Sequence, residues 1–221
     1  KNRFMLAPLT NLQSHADGTL SDDEYHWLTQ RARGGFGATL TCASHVQAQG
    51  QGFPGQLGCW SDAHLPGLTR LAAGIKAAGS AAYVQLHHAG MRSPRDLIGM
   101  QPVCPSDDAE TGSRALTLAE IEQLREDFIA AAVRADRAGF DGVEVHGAHG
   151  YILSQFMSST YNRREDRYGG SLQCGVADHA VLFEPLAEAG QLRAVDDGSP
   201  LAVDVMFGDV KLDRIGAGVD H

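Results

Sequence analysis

The feature that most constrains this chain is a repeating order of short apolar segments and longer amphipathic segments. Apolar runs at 3–9, 37–43, 81–86 and 140–146 each end in a turn, and stretches with helical periodicity lie between them. Strands that alternate with helices in this way usually pair in parallel, and the helices then cover the sheet. The sequence therefore predicts an α/β fold built on a parallel sheet.

Two of the expected helices carry recognisable first turns. Ser21 precedes an acidic turn at 22–24, and Thr117 with Glu120 matches a capping box. Such side chains accept hydrogen bonds from the free N–H groups of a first helical turn, and acidic residues favour its positive end. We expect helices to begin after Ser21 and after Thr117, and a third helix over about 62–78.

The type of parallel sheet follows from the turn motifs and from where polar residues lie. No Gly-x-Gly-x-x-Gly motif follows the first strand, so a dinucleotide-binding Rossmann unit is poorly supported. Instead, Thr10, Ser44, Gln85 and His146 lie at or just past strand ends, where (β/α)8 barrels collect their active-site residues. We therefore expect a fold of the (β/α)8 TIM-barrel type. Such barrels need about 250 residues, so we expect an incomplete barrel of about the first four to five β/α units.

Composition limits the partners that this chain could have. Its formal net charge is −9, which argues against nucleic acid or an anionic membrane as a partner, and no apolar run is long enough to span a membrane. The four cysteines are scattered without metal-ligand spacing, which is typical of free thiols in a reducing cytoplasm. An incomplete barrel leaves two open sheet edges, so pairing with another copy in a homo-oligomer is a further expectation.

Charge is distributed unevenly along the chain. Residues 174–221 hold nine acidic and three basic side chains, which gives −6 of the net charge of −9. We therefore divide the chain into an N-terminal part of a barrel at 1–173 and a divergent acidic segment at 174–221. The second segment is expected to be either a fifth β/α unit or a tail of other origin.

The stretch that is richest in chemical groups contains His146, His149 and Tyr151. The two histidines could fill a core, bind a metal, or donate two N–H groups to one carbonyl oxygen while Tyr151 supplies a proton. A metal needs a third ligand. Glu144 is a poor one because strand alternation places it deeper on the same side as His146. The residues favour the donor pair over a metal site, and a metal-dependent hydrolase remains a weaker alternative.

Other polar or aromatic residues carry less information. Gln85 lies on an apolar strand, and a buried amide without partners costs about 1–3 kcal/mol, so a planar ring with donors and acceptors would satisfy it. Thr10, taken alone, fits a turn threonine. We expect His87 and His88 to serve the loop or the core, and Trp60 is equally well explained by packing.

Four segments together carry a resemblance to a known family. They are NRFMLAPLT (2–10), QLHHAG (85–90), GFDGVEVHGAHGYILSQF (139–156) and NRREDRYGGS (162–171). In combination they resemble the Old Yellow Enzyme family of FMN-dependent ene-reductases and NADH:flavin oxidoreductases. The resemblance runs from about Asn2 to Leu172.

This resemblance implies an eight-stranded (β/α) barrel with FMN lying across the carboxyl ends of the strands. Thr10 would hydrogen-bond the flavin carbonyl, Ala43 would contact the flavin through its backbone, and Gln85 would pair with the pyrimidine edge. The residues placed at the flavin in this way are Ala7, Pro8, Leu9, Thr10, Ala43 and Gln85.

The resemblance also implies the reaction. NADH or NADPH would reduce the flavin, which then passes hydride to the β-carbon of a small α,β-unsaturated carbonyl compound. His146 and His149 would hold the carbonyl oxygen, and Tyr151 would protonate the α-carbon. Leu12 stands where some relatives carry a substrate-contacting tyrosine, so we expect a more open pocket there.

The chain departs from the family pattern after Ser171. The Asn-Arg pair that usually follows there is absent, and Asp204 aligns with an arginine that normally faces the flavin. The later strands, which carry phosphate-binding loops in such barrels, are not in the sequence. These departures predict impaired activity. The alternative is a non-catalytic half-barrel remnant with weak or no flavin binding.

Overall fold

A computed structural model of the chain describes residues 2–169 and the backbone of one further strand at 202–206. Apart from that strand, the acidic segment 174–221 lies outside the described residues. The elements in chain order are β1 (Met5–Leu6), α1 (Asp22–Arg33), β2 (Ala38–His45), α2 (Leu65–Ala77), β3 (Ala81–His87), α3 (Arg95–Ile98), β4 (Val103–Cys104), β5 (Arg114–Ala115), α4 (Leu118–Arg137), β6 (Gly142–His146), α5 (Ile152–Met157) and β7 (Ala202–Met206).

The main sheet has five strands in the order β1-β2-β3-β6-β7, and every neighbouring pair is parallel. Helix α1 connects β1 to β2, α2 connects β2 to β3, and α4 precedes β6. Each new strand of this sheet is added on the same side of the strand before it, as in a (β/α) barrel. In a doubly wound sheet, by contrast, the direction in which strands are added reverses at a switch point. The strand order therefore confirms the predicted barrel type.

The first turns of α1 and α4 are stabilised by the side chains that the sequence indicated. Ser21 Oγ accepts a hydrogen bond from the Glu24 N–H at 3.1 Å. Thr117 and Glu120 form a reciprocal capping box. Arg114 also pairs with Glu120, and this hydrogen bond lowers the pKa of the Glu120 carboxyl to about 2. Both predicted helix starts are confirmed.

The hydrophobic core lies between the sheet and the helices that cover it. On β3 and β6, Val84, Leu86, Val143 and Val145 are all fully buried and belong to the same cluster as the inward faces of α2 and α4. The alternate residues of the same strands point to the opposite face. That second face carries the polar side chains, and it is therefore where a functional site can form.

Some elements differ from the sequence predictions. The predicted strand 3–9 is reduced to Met5–Leu6, because Pro8 has no N–H with which to extend the parallel ladder. The third predicted helix begins as a 3-10 turn at Asp62–His64 before it continues as α2. The short pair β4–β5 and the six-residue α5 were not predicted.

The outer edge of the first strand exposes apolar side chains. Phe4 is 74% exposed and Met5 is 51% exposed. At the other side of the sheet, β7 occupies the position of the expected fifth strand, and its residue 204 is in register with Glu144. Within the part of the chain that the structure describes, no helix is long and apolar enough to cross a membrane.

Candidate functional site

The polar face of the sheet brings Gln85, His87, Glu144 and His146 together at the carboxyl ends of β3 and β6. Gln85 is in register with Glu144 on the neighbouring strand, and its amide nitrogen donates to the Glu144 carboxylate at 2.5 Å. The buried amide thus has the partner that its burial requires. Glu144 lies two residues before His146 on the same face, as strand alternation predicted.

A left-handed turn after β6 folds the chain back over the strand end. His149 and Gly150 have φ angles of +58° and +69°, a region that glycine tolerates and histidine rarely adopts. The turn places the exposed His149 ring 5.2 Å from the His146 ring and leads into Tyr151, which is the N-cap of α5. The centroid of the Tyr151 ring lies 5.0 Å from that of the His146 ring. The structure therefore brings His146, His149 and Tyr151 together.

His146 is held as a neutral hydrogen-bond donor. Burial lowers the pKa of its imidazole to about 4, so the ring is uncharged near neutral pH. The Ala148 N–H donates to Nδ1 at 3.2 Å, which requires Nδ1 to be the unprotonated nitrogen. In a neutral ring the proton then lies on Nε2. His146 can therefore donate one N–H bond to an acceptor.

His87 also belongs to this cluster, and its full burial agrees with the expectation that it serves the loop or the core. It is fully buried, with its ring 4.3 Å from Tyr151 and 5.3 Å from His146. Burial holds the pKa of the His87 imidazole well below its usual range, and the neighbouring His146 adds to that effect. His88 serves the core as expected. Its Nδ1 accepts from the Gly90 N–H, and its Nε2 bonds to the Gln47 side-chain oxygen.

Gln56 fixes which nitrogen of His87 carries the proton. The Gln56 side-chain oxygen accepts from the Gly52 N–H at 2.7 Å, so its amide nitrogen faces the other way. That nitrogen donates to the Ala43 carbonyl at 2.9 Å and contacts His87 Nδ1 at 3.0 Å. Nδ1 is therefore the acceptor and Nε2 carries the proton. This Nε2 has no hydrogen-bond partner among the described residues.

Gln155 joins the loop after β3 to the loop after β6. It is fully buried, and its amide nitrogen donates to the carbonyls of Ala89 at 3.2 Å and Gly150 at 2.7 Å. Its oxygen accepts from the Met91 N–H at 3.2 Å. This role of Gln155 was not predicted from the sequence. The available signal was its position four residues after Tyr151, on the same face of α5.

Arg92 lies at the rim of the same cluster. Its guanidinium carbon is 5.8 Å from the centroid of the half-buried Tyr151 ring, and its Nε would lie 3.5 Å from a Cβ atom added at Gly150. Arg92 is exposed and forms no ion pair with the residues that the structure describes. A positive charge therefore lies beside Tyr151.

The residues expected to contact the flavin follow β1 or lie on β2 and β3. Thr10 and Leu9, which is 62% exposed, leave the end of β1 open to a ligand. The Ala43 carbonyl is already bonded to Gln56, so it has one fewer lone pair to offer. These observations fit the ring portion of a flavin.

Metal binding receives no support from the described residues. No three histidine, cysteine, aspartate or glutamate side chains among them are grouped as metal ligands would be. His146 uses Nδ1 to accept from the backbone, and the Glu144 carboxylate accepts from Gln85. The metal-dependent hydrolase of the sequence analysis therefore has no ligand set in this part of the chain.

A singly wound parallel sheet with histidines, a tyrosine and an amide at its strand ends defines a class, that of barrel enzymes with the Old Yellow Enzyme architecture. Residues 1–176 match the NADH:flavin oxidoreductase / NADH oxidase family. The chain belongs to this family, whose members are enzymes that use FMN with NADH or NADPH.

Two curated relatives illustrate the likeness in sequence. The chain is 43% identical over 196 residues to the probable NADH-dependent flavin oxidoreductase YqiG of Bacillus subtilis (strain 168), covering 87% of this chain and 51% of that protein. It is 38% identical over 206 residues to an NADPH dehydrogenase of Halalkalibacterium halodurans, covering 93% of this chain and 59% of that protein. The chain thus spans a little over half the length of these two relatives.

Solved structures show the same likeness in three dimensions. An Old Yellow Enzyme homologue from Zymomonas mobilis superposes with a TM-score of 0.80 at 31% identity, over 92% of this chain and 59% of that one. Old Yellow Enzyme from Pichia sp. AKU4542 gives a TM-score of 0.82 at 28% identity, over 93% of this chain and 56% of that one. Both the barrel fold and the family predicted from the sequence are confirmed.

Proposed function

We propose that this chain provides the strand ends that hold the flavin ring and the substrate in an NAD(P)H-dependent ene-reductase. The observation that carries the proposal is the grouping of His146, His149 and Tyr151 on one turn, with His146 fixed as a neutral donor. The substrate class is a small α,β-unsaturated carbonyl compound, and the reductant is NADH or NADPH.

The histidines act on the carbonyl oxygen of the substrate. His146 donates from Nε2, and His149 approaches the same oxygen from the neighbouring turn. Hydrogen bonds to this oxygen withdraw electron density from the conjugated double bond and stabilise the negative charge that develops as the β-carbon is attacked. Because His146 is neutral, its donor strength does not depend on pH near neutrality.

Tyr151 supplies the proton. Its position at the N-terminus of α5 places the phenol next to the His146 ring. A substrate held by the histidines would therefore present its α-carbon to the Tyr151 hydroxyl. A positioned general acid contributes about 10²–10⁴ in rate. When bound, FMN supplies the hydride for the β-carbon.

The flavin ring would be held by the residues that end β1, β2 and β3. Thr10 and the backbone of Ala7, Pro8 and Leu9 lie at the open end of β1, and Gln85 presents an amide whose orientation Glu144 fixes. Ala43 would take part through its backbone. We propose that these six residues contact the flavin, with Gln85 at its pyrimidine edge.

The first test is a visible absorption spectrum of the 221-residue chain after FMN is added and unbound flavin is removed. We expect a retained flavin band, together with reduction of an enone when NADH or NADPH is supplied. A chain that retains no flavin would contradict the proposal and support the non-catalytic remnant instead.

The second test is Tyr151→Phe in the flavin-loaded chain. We expect flavin binding and flavin reduction by NADH to be unchanged and enone reduction to fall by about 10²–10⁴. Tyr161→Phe is the matched control, since Tyr161 is 37% exposed and lies outside the site. Equal rates for the two variants would show that Tyr151 is not the acid.

A further inference from the structure

The site contains more hydrogen-bond donors than one carbonyl oxygen accepts. Neutral His146 and neutral His87 each carry a proton on Nε2, and His149 and the Tyr151 hydroxyl are also present. A single carbonyl oxygen has two lone pairs, whereas a carboxylate has about four acceptor positions on two oxygens. A ligand with two oxygens on one carbon would therefore match this donor set better than a ketone or an aldehyde.

The His87 Nε2 proton is the donor that most needs such a partner. It is buried and unpartnered, and a buried donor without an acceptor destabilises the protein by about 1–3 kcal/mol. Gln56 prevents the ring from exchanging its proton between the nitrogens, because both N–H groups of the Gln56 amide are already directed at Ala43 and His87 Nδ1. The centroids of the Tyr151 and His146 rings lie 4.3 Å and 5.3 Å from that of His87, and the Phe53 ring lies 6.5 Å away.

Charge at the rim points to the same ligand chemistry. The Arg92 guanidinium lies beside Tyr151 and forms no ion pair with a described carboxylate. Arginine keeps its charge at all physiological pH values and matches the geometry of a carboxylate. The acidic residue described on β6, Glu144, is 5% exposed and accepts a hydrogen bond from Gln85. An anion at the rim therefore meets Arg92 first.

We infer that His87 and Arg92 are substrate-binding residues that make this site selective for α,β-unsaturated carboxylates over the corresponding esters and aldehydes. The inference rests on the proposed function and extends it to a substrate class. The carboxylate occupies the space bounded by His87, His146 and Arg92, and the double bond lies beside Tyr151.

Crotonate and methyl crotonate are suitable probes, because they share one skeleton and differ in charge. Binding of each to the chain is measured by calorimetry without NADH, so that no turnover occurs, both with FMN and without it. We expect crotonate to bind more tightly than its ester. Reduction of both compounds is then followed after NADH is added.

Two variants test the two residues. Arg92→Gln is expected to weaken crotonate binding about fivefold, the upper range for an exposed ion pair, and to leave methyl crotonate unchanged. His87→Phe keeps an aromatic ring but removes the N–H donor, and we expect the affinity for crotonate to fall about tenfold. Arg95→Gln is the matched control, since Arg95 is exposed on the neighbouring turn and has no contact with Tyr151.

A separate measurement covers the case in which His87→Phe does not fold. Nitrogen-15 NMR of the unmodified chain reports which nitrogen of each histidine carries the proton, and we expect Nε2 for His87 whether or not FMN is present. A proton on Nδ1 would overturn the assignment of His87 as a donor into the site.

The outcomes separate this inference from the proposed function. The inference is overturned if the chain reduces methyl crotonate and binds crotonate no more tightly. It is also overturned if Arg92→Gln weakens the binding of both compounds equally. Either result leaves the proposed ene-reductase activity intact. The chain could instead bind crotonate more tightly than its ester, lose this preference in Arg92→Gln, and reduce neither compound. That result supports the inference as a binding property and contradicts the proposed reaction. If His87→Phe weakens FMN binding but not crotonate binding, the His87 N–H donates to the flavin, and the inference is overturned.

Discussion

Among the described residues, burial lowers the imidazole pKa of four histidines, His45, His87, His88 and His146. Burial lowers the pKa of His45 to about 4, of His88 to about 3 and of His146 to about 4, and it lowers the pKa of His87 well below its usual range. Their unfolded value is near 6.5. Between these values the unfolded chain binds protons that the folded chain does not bind.

The free energy of unfolding should therefore decrease as pH falls from 6.5 towards 4. Each such histidine contributes a slope of up to about 1.4 kcal/mol per pH unit in this window. Burial raises the pKa of Glu24, and that single group acts in the opposite direction. Urea unfolding at pH 7 and pH 5 measures the difference. Equal stability at the two pH values would contradict the neutral, buried state of these rings.

Gln155 is the second residue with a large expected effect. Gln155→Leu fills a similar volume but leaves the Met91 N–H and the carbonyls of Ala89 and Gly150 without their partner. We expect a loss of about 3 kcal/mol in the free energy of unfolding. Gln123→Leu, at an exposed position on α4, is the control and should change stability by less than about 0.5 kcal/mol. Chemical denaturation of both variants checks the prediction.

At the scale of single elements, the capping box of α4 gives a clean prediction. Thr117→Ala removes the oxygen that accepts from the Glu120 N–H at 3.2 Å, and such a change costs about 1 kcal/mol. Thermal unfolding, with Thr160→Ala as a control at an exposed turn position, measures the effect. If both variants melt at the temperature of the unmodified chain, the cap does not stabilise α4.

The helices were predictable because their signals are local. Ser21 and Thr117 each act on an N–H group three residues away, and the apolar face of α4 repeats within one segment. The strand at 3–9 was overestimated because the residues that pair are set by the register with β2, more than thirty residues away. The two-residue strands β4 and β5 pair with each other across a loop, and nothing in either dipeptide predicts that pairing.

The same distinction between local and distant contacts applies to the site. His146, His149 and Tyr151 lie within six residues, so their spacing was sufficient to group them. The protonated nitrogen of His87 could not be predicted, because it depends on Gln56, which lies 31 residues earlier in a loop without regular periodicity. Arg92 and Gln155 are brought to the site by the folding of two separate loops, which one sequence does not reveal.

At the scale of the whole molecule, the exposed edge of the sheet should affect association. Phe4 and Met5 are 74% and 51% exposed beside the edge of β1, which pairs with no second strand among those that the structure describes. Apolar edge strands tend to pair with other chains. We expect the 221-residue chain to self-associate at micromolar concentrations and the double substitution Phe4→Ser, Met5→Thr to reduce this. Sedimentation velocity measures both proteins.

Met100→Thr provides the control, because Met100 is 47% exposed but lies away from the sheet edge. Its sedimentation should match that of the unmodified chain. A monomeric unmodified chain at these concentrations would contradict the prediction and would show that the β1 edge is covered in solution.

The Gln155 contacts also have a consequence for protein engineering. Active-site loops of barrel enzymes are often exchanged one at a time between relatives to alter substrate range. Here the loop after β3 and the loop after β6 share one buried amide that bonds to the backbone of both. A chimera that receives one of these loops from a donor enzyme keeps the matching backbone geometry only if it receives the other as well. The two loops and α5 therefore form the smallest unit that can be transplanted intact.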